Sequence, residues 1–368
     1  MIFTSSQYKH LYLAILLVIS CSIIFSCGKK QDNPAPVQKS APTQQAAPPL
    51  QTGLSTGPAG DTSKANLNAM PPRSDSYYVL DSRTNTIFGI DLNTNTISSR
   101  YLRSDNVVAI QYDAGHNWIY EAIGNPTPGL DVYDAGGHKY VQKFRFPGAP
   151  SALLYHPLQR RLYLVSADST NFRYFDPDSM KIVLSIGLHI QDRAPISPTT
   201  LNPGPLGKLI TANAAHPSVS SILTDNGFML QTVIIHNAQH IDNAVFSFDG
   251  NSTFCCDTQQ GALFRVEFGT GKVLAEKYQL KRPRMVQIEV MSNTVVFVEG
   301  NNELVMLNPD TFRETGRVSL AEYGDEILSF LIPPRANFAE VLLDYKGVTR
   351  WMRFDIQNWK PTRFVELI

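Results

Sequence analysis

From Ser74 onward the chain alternates short apolar runs with polar, turn-forming residues, and the alternation recurs. Seven runs set the period: 77–80, 118–120, 162–165, 209–211, 253–256, 295–298 and 338–342. Their starts lie 41–47 residues apart, the length of a propeller blade rather than of a helical repeat. A second strand follows each run and ends on a polar residue, as at Ile90-Asp91, Tyr133-Asp134, Phe175-Asp176 and Phe354-Asp355. Asp or Asn at such a place bonds its own backbone two residues on and closes a tight turn. A third strand returns (Thr96-Ile97-Ser98, for example), and a fourth, such as 107–110, 152–155, 244–248 or 285–288, leads into the next unit. Turn strings such as Phe248-Asp249-Gly250-Asn251 join that fourth strand to the next run.

Four strands in each of seven units predict an all-β fold: a seven-bladed β-propeller of four-stranded antiparallel blades over residues 74–368, a ring that protects its strand edges. The pattern of strand, polar turn, strand, Asp, Thr/Asn turn and strand resembles the YVTN-type propeller repeat. Tyr78-Val79-Leu80-Asp81 is its nearest approach to the defining string. That resemblance implies the fold and assigns no activity. The first unit opens at its second strand, which leaves two readings. Residues near Asn66 to Met70 supply its inner strand, the favoured reading because unpaired backbone is costly, or the first blade has three strands.

The first 27 residues have a different pattern. Lys9 and His10 precede an apolar run over 11–25, the length of a signal-peptide core and short for a membrane span. Ser26-Cys27-Gly28 then meets Lys29 and Lys30, and Ile24-Phe25-Ser26-Cys27 resembles a lipobox. The resemblance implies cleavage and acylation (palmitate among the chains) at Cys27, with Cys21 and an uncleaved anchor as the alternatives. Gly28 after the cysteine fits sorting to the outer membrane. Residues 28–73, rich in Pro, Ala and Gln, offer too little to bury and read as a disordered tether. As a coil it spans about 35 Å.

Formal charge is zero over the whole chain, but residues 1–73 carry six basic and two acidic side chains. The remainder holds 26 basic against 30 acidic. A net-acidic domain has no field for phosphates, so nucleic acid is excluded as a general partner.

Candidate chemistry gathers on the propeller face that carries the loops between middle strands and those leading to the next inner strand. Arg83, Glu121, His189, Asp192, Arg193, His216, His236, His240, Asp257, Arg282, Arg284 and Glu299 fall there. His216, His236 and His240 would make an imidazole set if they converged, but i,i+4 spacing aligns side chains only on a helix, so no metal is expected. Lys281-Arg282-Pro283-Arg284 is the dense basic cluster of the domain and could meet an anion or a carboxylate. The stretches from Glu121 through Asn125 to Gly129, and from His189 to Gly207, are long insertions of the kind that carry recognition. Cys255 and Cys256, adjacent on a strand, point to opposite faces and read as buried free thiols. No nucleophile elbow, His-Glu-x-x-His, Cys-x-x-Cys or phosphate loop is present, and no catalytic residue or cofactor is predicted. The expected function is a lipid-anchored module of the cell envelope, a monomeric propeller binding an envelope protein or a small ligand. An enzyme of lactonase or quinoprotein type is the alternative.

Overall fold

The computed structural model describes residues 76–156, 159–166, 171–188, 198–213, 216–224, 229–333 and 336–368. The predicted leader with Cys27, the tether, His189 and Arg193 lie outside them.

The chain forms a seven-bladed β-propeller from twenty-seven described strands. Blade 1 contains β1 (Ser76–Asp81), β2 (Thr86–Asp91) and β3 (Thr96–Leu102). Blade 2 contains β4 (Val107–Asp113), β5 (Trp118–Ile123), β6 (Gly129–Asp134) and β7 (Lys139–Arg145). Blade 3 has β8 (Ala152–His156), β9 (Arg161–Ser166), β10 (Asn171–Asp176) and β11 (Lys181–Gly187). In blade 4 the strands are β12 (Asn202–Pro203), β13 (Lys208–Asn213), β14 (Ser218–Leu223) and β15 (Met229–Ile234). Blade 5 holds β16 (Asn243–Phe246), β17 (Ser252–Asp257), β18 (Ala262–Glu267) and β19 (Val273–Lys277). Blade 6 has β20 (Arg284–Glu289), β21 (Thr294–Glu299), β22 (Glu303–Leu307) and β23 (Glu314–Ser319). Blade 7 ends the chain with β24 (Glu326–Leu331), β25 (Phe338–Tyr345), β26 (Val348–Asp355) and β27 (Lys360–Leu367).

Every blade is an antiparallel meander in chain order; blades 2 to 7 run from the innermost strand outward with four strands each, and blade 1 has three described strands, β1-β2-β3. The predicted Asp turn recurs with a fixed geometry. Asp91, Asp134, Asp176, Asn308 and Asp355 each accept the backbone N–H two residues on. Four residues after each lies a left-handed residue: Asn95, His138, Met180, Phe312 and Trp359. A β-bulge then shifts the register between the two outermost strands of all seven blades. A bulge at the same point each time adds twist, which lets flat meanders pack as a ring.

The core lies between blades. Alternating side chains of each blade meet those of the next, and six apolar clusters fill the interfaces from blade 2 round to blade 1. Cys255 and Cys256 show the alternation in two adjacent residues. The first packs into the cluster shared with blade 4 and the second into the cluster shared with blade 6. Both are fully buried and unbonded to each other. Burial pushes the Cys255 thiol well up and that of Cys256 up to about 12, so neither is a nucleophile near neutral pH.

Candidate functional site

Because each blade is a meander, its first and third connections lie on one face of the ring, the turn face. The second connection and the crossing to the next blade share the other, the loop face. Most sequence-predicted site residues belong to the loop face, and the structure divides them into supports and projections.

Asp257 and Glu299 are supports. Asp257, at the end of β17, is fully buried, and its Oδ2 accepts the N–H of Gln239 at 2.7 Å and of His240 at 3.0 Å. Its Oδ1 takes the N–H of Gln260 at 2.8 Å. Glu299, at the end of β21, accepts the Lys281 N–H at 3.0 Å on one oxygen and Arg317 Nη1 at 2.7 Å on the other. In two adjacent blades, then, a carboxylate beneath the face pins the backbone of the incoming loop. Such charge-assisted bonds are the strong ones.

The loop from blade 4 to blade 5 shows the result. Ile235, Ala238 and Ile241 are buried anchors, and the Ala238 N–H bonds the Ile235 carbonyl at 2.9 Å. His236, Asn237 and Gln239 project into solvent from that fixed backbone. His240 Nε2 lies 3.2 Å from Asp242, and His216, on the second connection of blade 4, is exposed. Among the described residues no group of three His, Cys, Asp or Glu side chains is placed to hold a metal. The imidazoles of His216, His236 and His240 are therefore not brought together as a ligand set.

Arg282 and Arg284 meet at one carboxylate. Glu326, opening the inner strand of blade 7, lies 3.4 Å from Arg282 and 3.2 Å from Arg284. The two differ in depth: Arg282 is 57% exposed and Arg284 only 13%. Burial lowers the Arg284 guanidinium from its ordinary value, with Glu326 opposing that shift. Arg284 thus ties blade 6 to blade 7, the exposed Arg282 shares the same carboxylate, and Lys281 stands exposed beside them.

The loop Asn125-Pro126-Thr127 of blade 2 is exposed at all three residues. Both of its ends are held by crossing segments. The Gly124 N–H bonds the Asn106 carbonyl at 2.7 Å, and the Phe146 N–H bonds that of Pro128 at 3.4 Å. Gly124 and Gly129 are also tight positions. A Cβ on Gly129 would sit on the Phe144 carbonyl, and one on Gly124 would sit against Asn106.

Below this loop lies a charged network that the sequence did not announce. The interface between blades 1 and 2 buries Ile87, Ile119 and Ile123 around Glu121 and Asp131, two carboxylates with no exposure. Arg103 Nε donates to Glu121 at 2.8 Å, and its Nη2 donates to the Tyr133 hydroxyl at 2.6 Å. His138 Nε2 lies 2.6 Å from the other Glu121 oxygen, and its ring is stacked between Tyr101 and Tyr133. Desolvation works against the Arg103 charge, but Glu121 and Tyr133 together outweigh it and raise the guanidinium above its ordinary value. Lys143 and Arg145 face Asp131. Opposite charges, stacked rings and the full burial of both carboxylates make this a rivet between blades, with Arg103, Lys143 and Arg145 each assigned to a carboxylate.

A second polar knot sits on the turn face between blades 2 and 3. His116 Nδ1 is 2.6 Å from Asp113 and Nε2 is 3.0 Å from Asp178, which Arg160 also holds at 2.7 Å. The Tyr120 hydroxyl donates to Asp113 at 3.2 Å. Burial alone would raise the Asp113 carboxyl. Hydrogen bonds from His116, Tyr155 and the Gly115 N–H prevail and hold it below the ordinary range.

No family model matches the sequence, and no curated protein matches it. Solved structures do resemble the fold. The hydrazine synthase of Kuenenia stuttgartiensis aligns with a TM-score of 0.62 at 14% identity, over 77% of this chain and 94% of that one. A functionally unknown protein from Desulfotomaculum acetoxidans gives 0.62 at 13% identity, over 79% and 95%. The dihydro-heme d1 dehydrogenase NirN, in complex with DHE, gives 0.60 at 12% identity, over 81% and 64%. At such identities the likeness is one of fold.

Proposed function

We propose that this propeller is a recognition module of the cell envelope, anchored through an acylated Cys27 and docking a protein partner through its loop face. One observation carries the reading: the exposed side chains of that face project from backbone already pinned from beneath. The Asn125-Pro126-Thr127 loop is held at both ends, and the His236-to-Gln239 loop rests on the buried Asp257 carboxylate. Pre-organised loops lose little freedom on binding, so their contacts convert into affinity rather than into ordering. Lys281 adds an exposed cation on that face, suited to a carboxylate on the partner.

A crosslinked pull-down from gently solubilised envelopes tests the reading. The double substitution Asn125→Ala with Thr127→Ala leaves Gly124 and Gly129 in place, so the fold should hold. Partner recovery is expected to fall about tenfold, the effect of losing roughly 1.4 kcal/mol of binding, with the melting temperature unchanged. Undiminished recovery would remove this loop from the interface.

A further inference from the structure

The first connections of three adjacent blades put apolar side chains at their tips on the turn face. The tip joining β16 to β17 presents Phe248 at 65% exposure, and the tip joining β20 to β21, in the next blade, presents Met291 at 78%. Pro205, on the corresponding tip of blade 4, lies so close to the blade 5 tip that a Cβ on Gly250 would sit on its ring. The turn itself does not ask for such residues. Glu289 accepts the N–H of Met291 at 2.7 Å and of Ser292 at 2.6 Å, and a left-handed Asn293 follows. Blade 2 closes the same turn with Asp113 and a left-handed Asn117, and has Gly115 where blade 6 has Met291.

Charge around these tips is sorted by sign. Glu289 is buried beneath Met291, and Asp249, beside Phe248, turns back to accept the Ser247 hydroxyl at 2.6 Å and the Asn251 N–H at 3.1 Å. On the third connections of the same two blades, Lys272 and Arg313 are exposed. The acids there are engaged, Glu267 by the Thr270 hydroxyl and Asp310 by Arg265 at 2.5 Å. The direction of the chain adds a second observation. β3 hands over to β4 on the loop face, so β2 runs toward the turn face and β1 away from it. Arg83, just past the end of β1, agrees, since it bonds Asp344 and Thr349 beside the β25–β26 hairpin of the loop face. Ser76 therefore begins β1 on the turn face, and everything N-terminal to it, Cys27 included, joins the propeller from that side.

We propose that the turn face of blades 4 to 6 rests on a phospholipid bilayer, with Phe248 and Met291 reaching the acyl boundary and Lys272 and Arg313 meeting phosphates. Apolar side chains flanked by exposed cations are the composition that such an interface takes up. The inference rests on the acylated Cys27 of the functional reading and gives that anchor a direction: lipid against the turn face, partner against the loop face. Backbone fixed by Glu289 and by the Ser247-to-Asn251 bonds loses little freedom on insertion. Lipid contact also accounts for an exposed Met291 at a place where Gly115 closes the equivalent turn.

The acylated chain, purified with its lipid and reconstituted in phosphatidylcholine–phosphatidylglycerol vesicles, tests this. A polarity-sensitive thiol label is placed at Met291→Cys, at Phe248→Cys or, on the opposite face, at Thr127→Cys; the native Cys255 and Cys256 are buried and escape it. Flotation with the vesicles reports the anchor, and iodide quenching of the label reports the face. Labels at 248 and 291 are expected to shift to the blue and to be quenched at least about threefold less than the label at 127, as groups sunk about 5–10 Å into the headgroup boundary are. A chain that floats while those two labels stay as accessible as the one at 127 overturns the proposal and leaves the anchor standing. A chain that floats no better than its Cys27→Ser variant removes the anchor and the proposal with it. Shielding that grows with the number of copies per vesicle would assign the tips to a second copy of the chain and overturn the proposal as well.

Discussion

Glu121 shows why a buried charge here is structural. It has no exposure, and each of its oxygens has a cationic or imidazole partner. Removing one partner of such a pair leaves the other charge stranded in a dry interface, which costs about 3–5 kcal/mol. Glu121→Gln is therefore expected to lower the unfolding free energy by about 3 kcal/mol in denaturant titration. Arg103→Met combined with Glu121→Leu should recover part of that loss, because an apolar pair of similar volume needs no compensation. Asp113 gives the pH dependence. Its carboxyl is held below the unfolded value by His116, Tyr155 and Gly115, so the unfolded chain takes up the proton first as pH falls. The stabilisation is fully present above the unfolded pKa of about 3.9 and is lost as pH drops through the lower folded value. The acid limb of a stability curve below about pH 4 should flatten in Asp113→Asn, and an unchanged limb would show that the His116 knot contributes nothing.

Strands and turns were the legible level of this sequence. Apolar runs of alternating pattern placed the second strand of every blade, and the Asp or Asn ending the third marked a turn whose left-handed fourth residue the structure repeats. Less legible was β12, two residues long and including Pro203, because so short an inner strand has no period to read. The polar interface of blades 1 and 2 was not legible either. The sequence pattern sets Glu121 on the loop face at the head of an insertion, whereas it lies buried within β5, where Arg103 reaches it from the preceding blade, a contact that no local pattern encodes. The loop face was legible as a set of residues and not as a division of labour, since only geometry separates Asp257 beneath a loop from His236 upon it. One turn carries a stabilising substitution. Lys346 and Gly347 both have positive φ, at 51° and 86°, in the two-residue hairpin between β25 and β26, a geometry that favours Asn-Gly. Lys346→Asn should raise stability by about 0.5 kcal/mol or more, seen as a higher denaturant midpoint with an unchanged slope.

At the scale of the whole molecule, the ring is rigid where blades meet and varied where loops emerge. Apolar packing fills six interfaces, ion pairs rivet the seventh, and buried carboxylates extend that rigidity up into the loop face. A scaffold of this kind concentrates recognition on one side, which is the central claim of the functional proposal. Site-specific photocrosslinking in intact envelopes tests it most directly, with a photoreactive residue at Thr127 on the loop face or at Val183, an exposed position on the outer strand of blade 3. The account predicts one discrete, abundant protein adduct from Thr127 and none from Val183. The same adduct from both positions, or from Val183 alone, would contradict it and move the recognition surface to the rim.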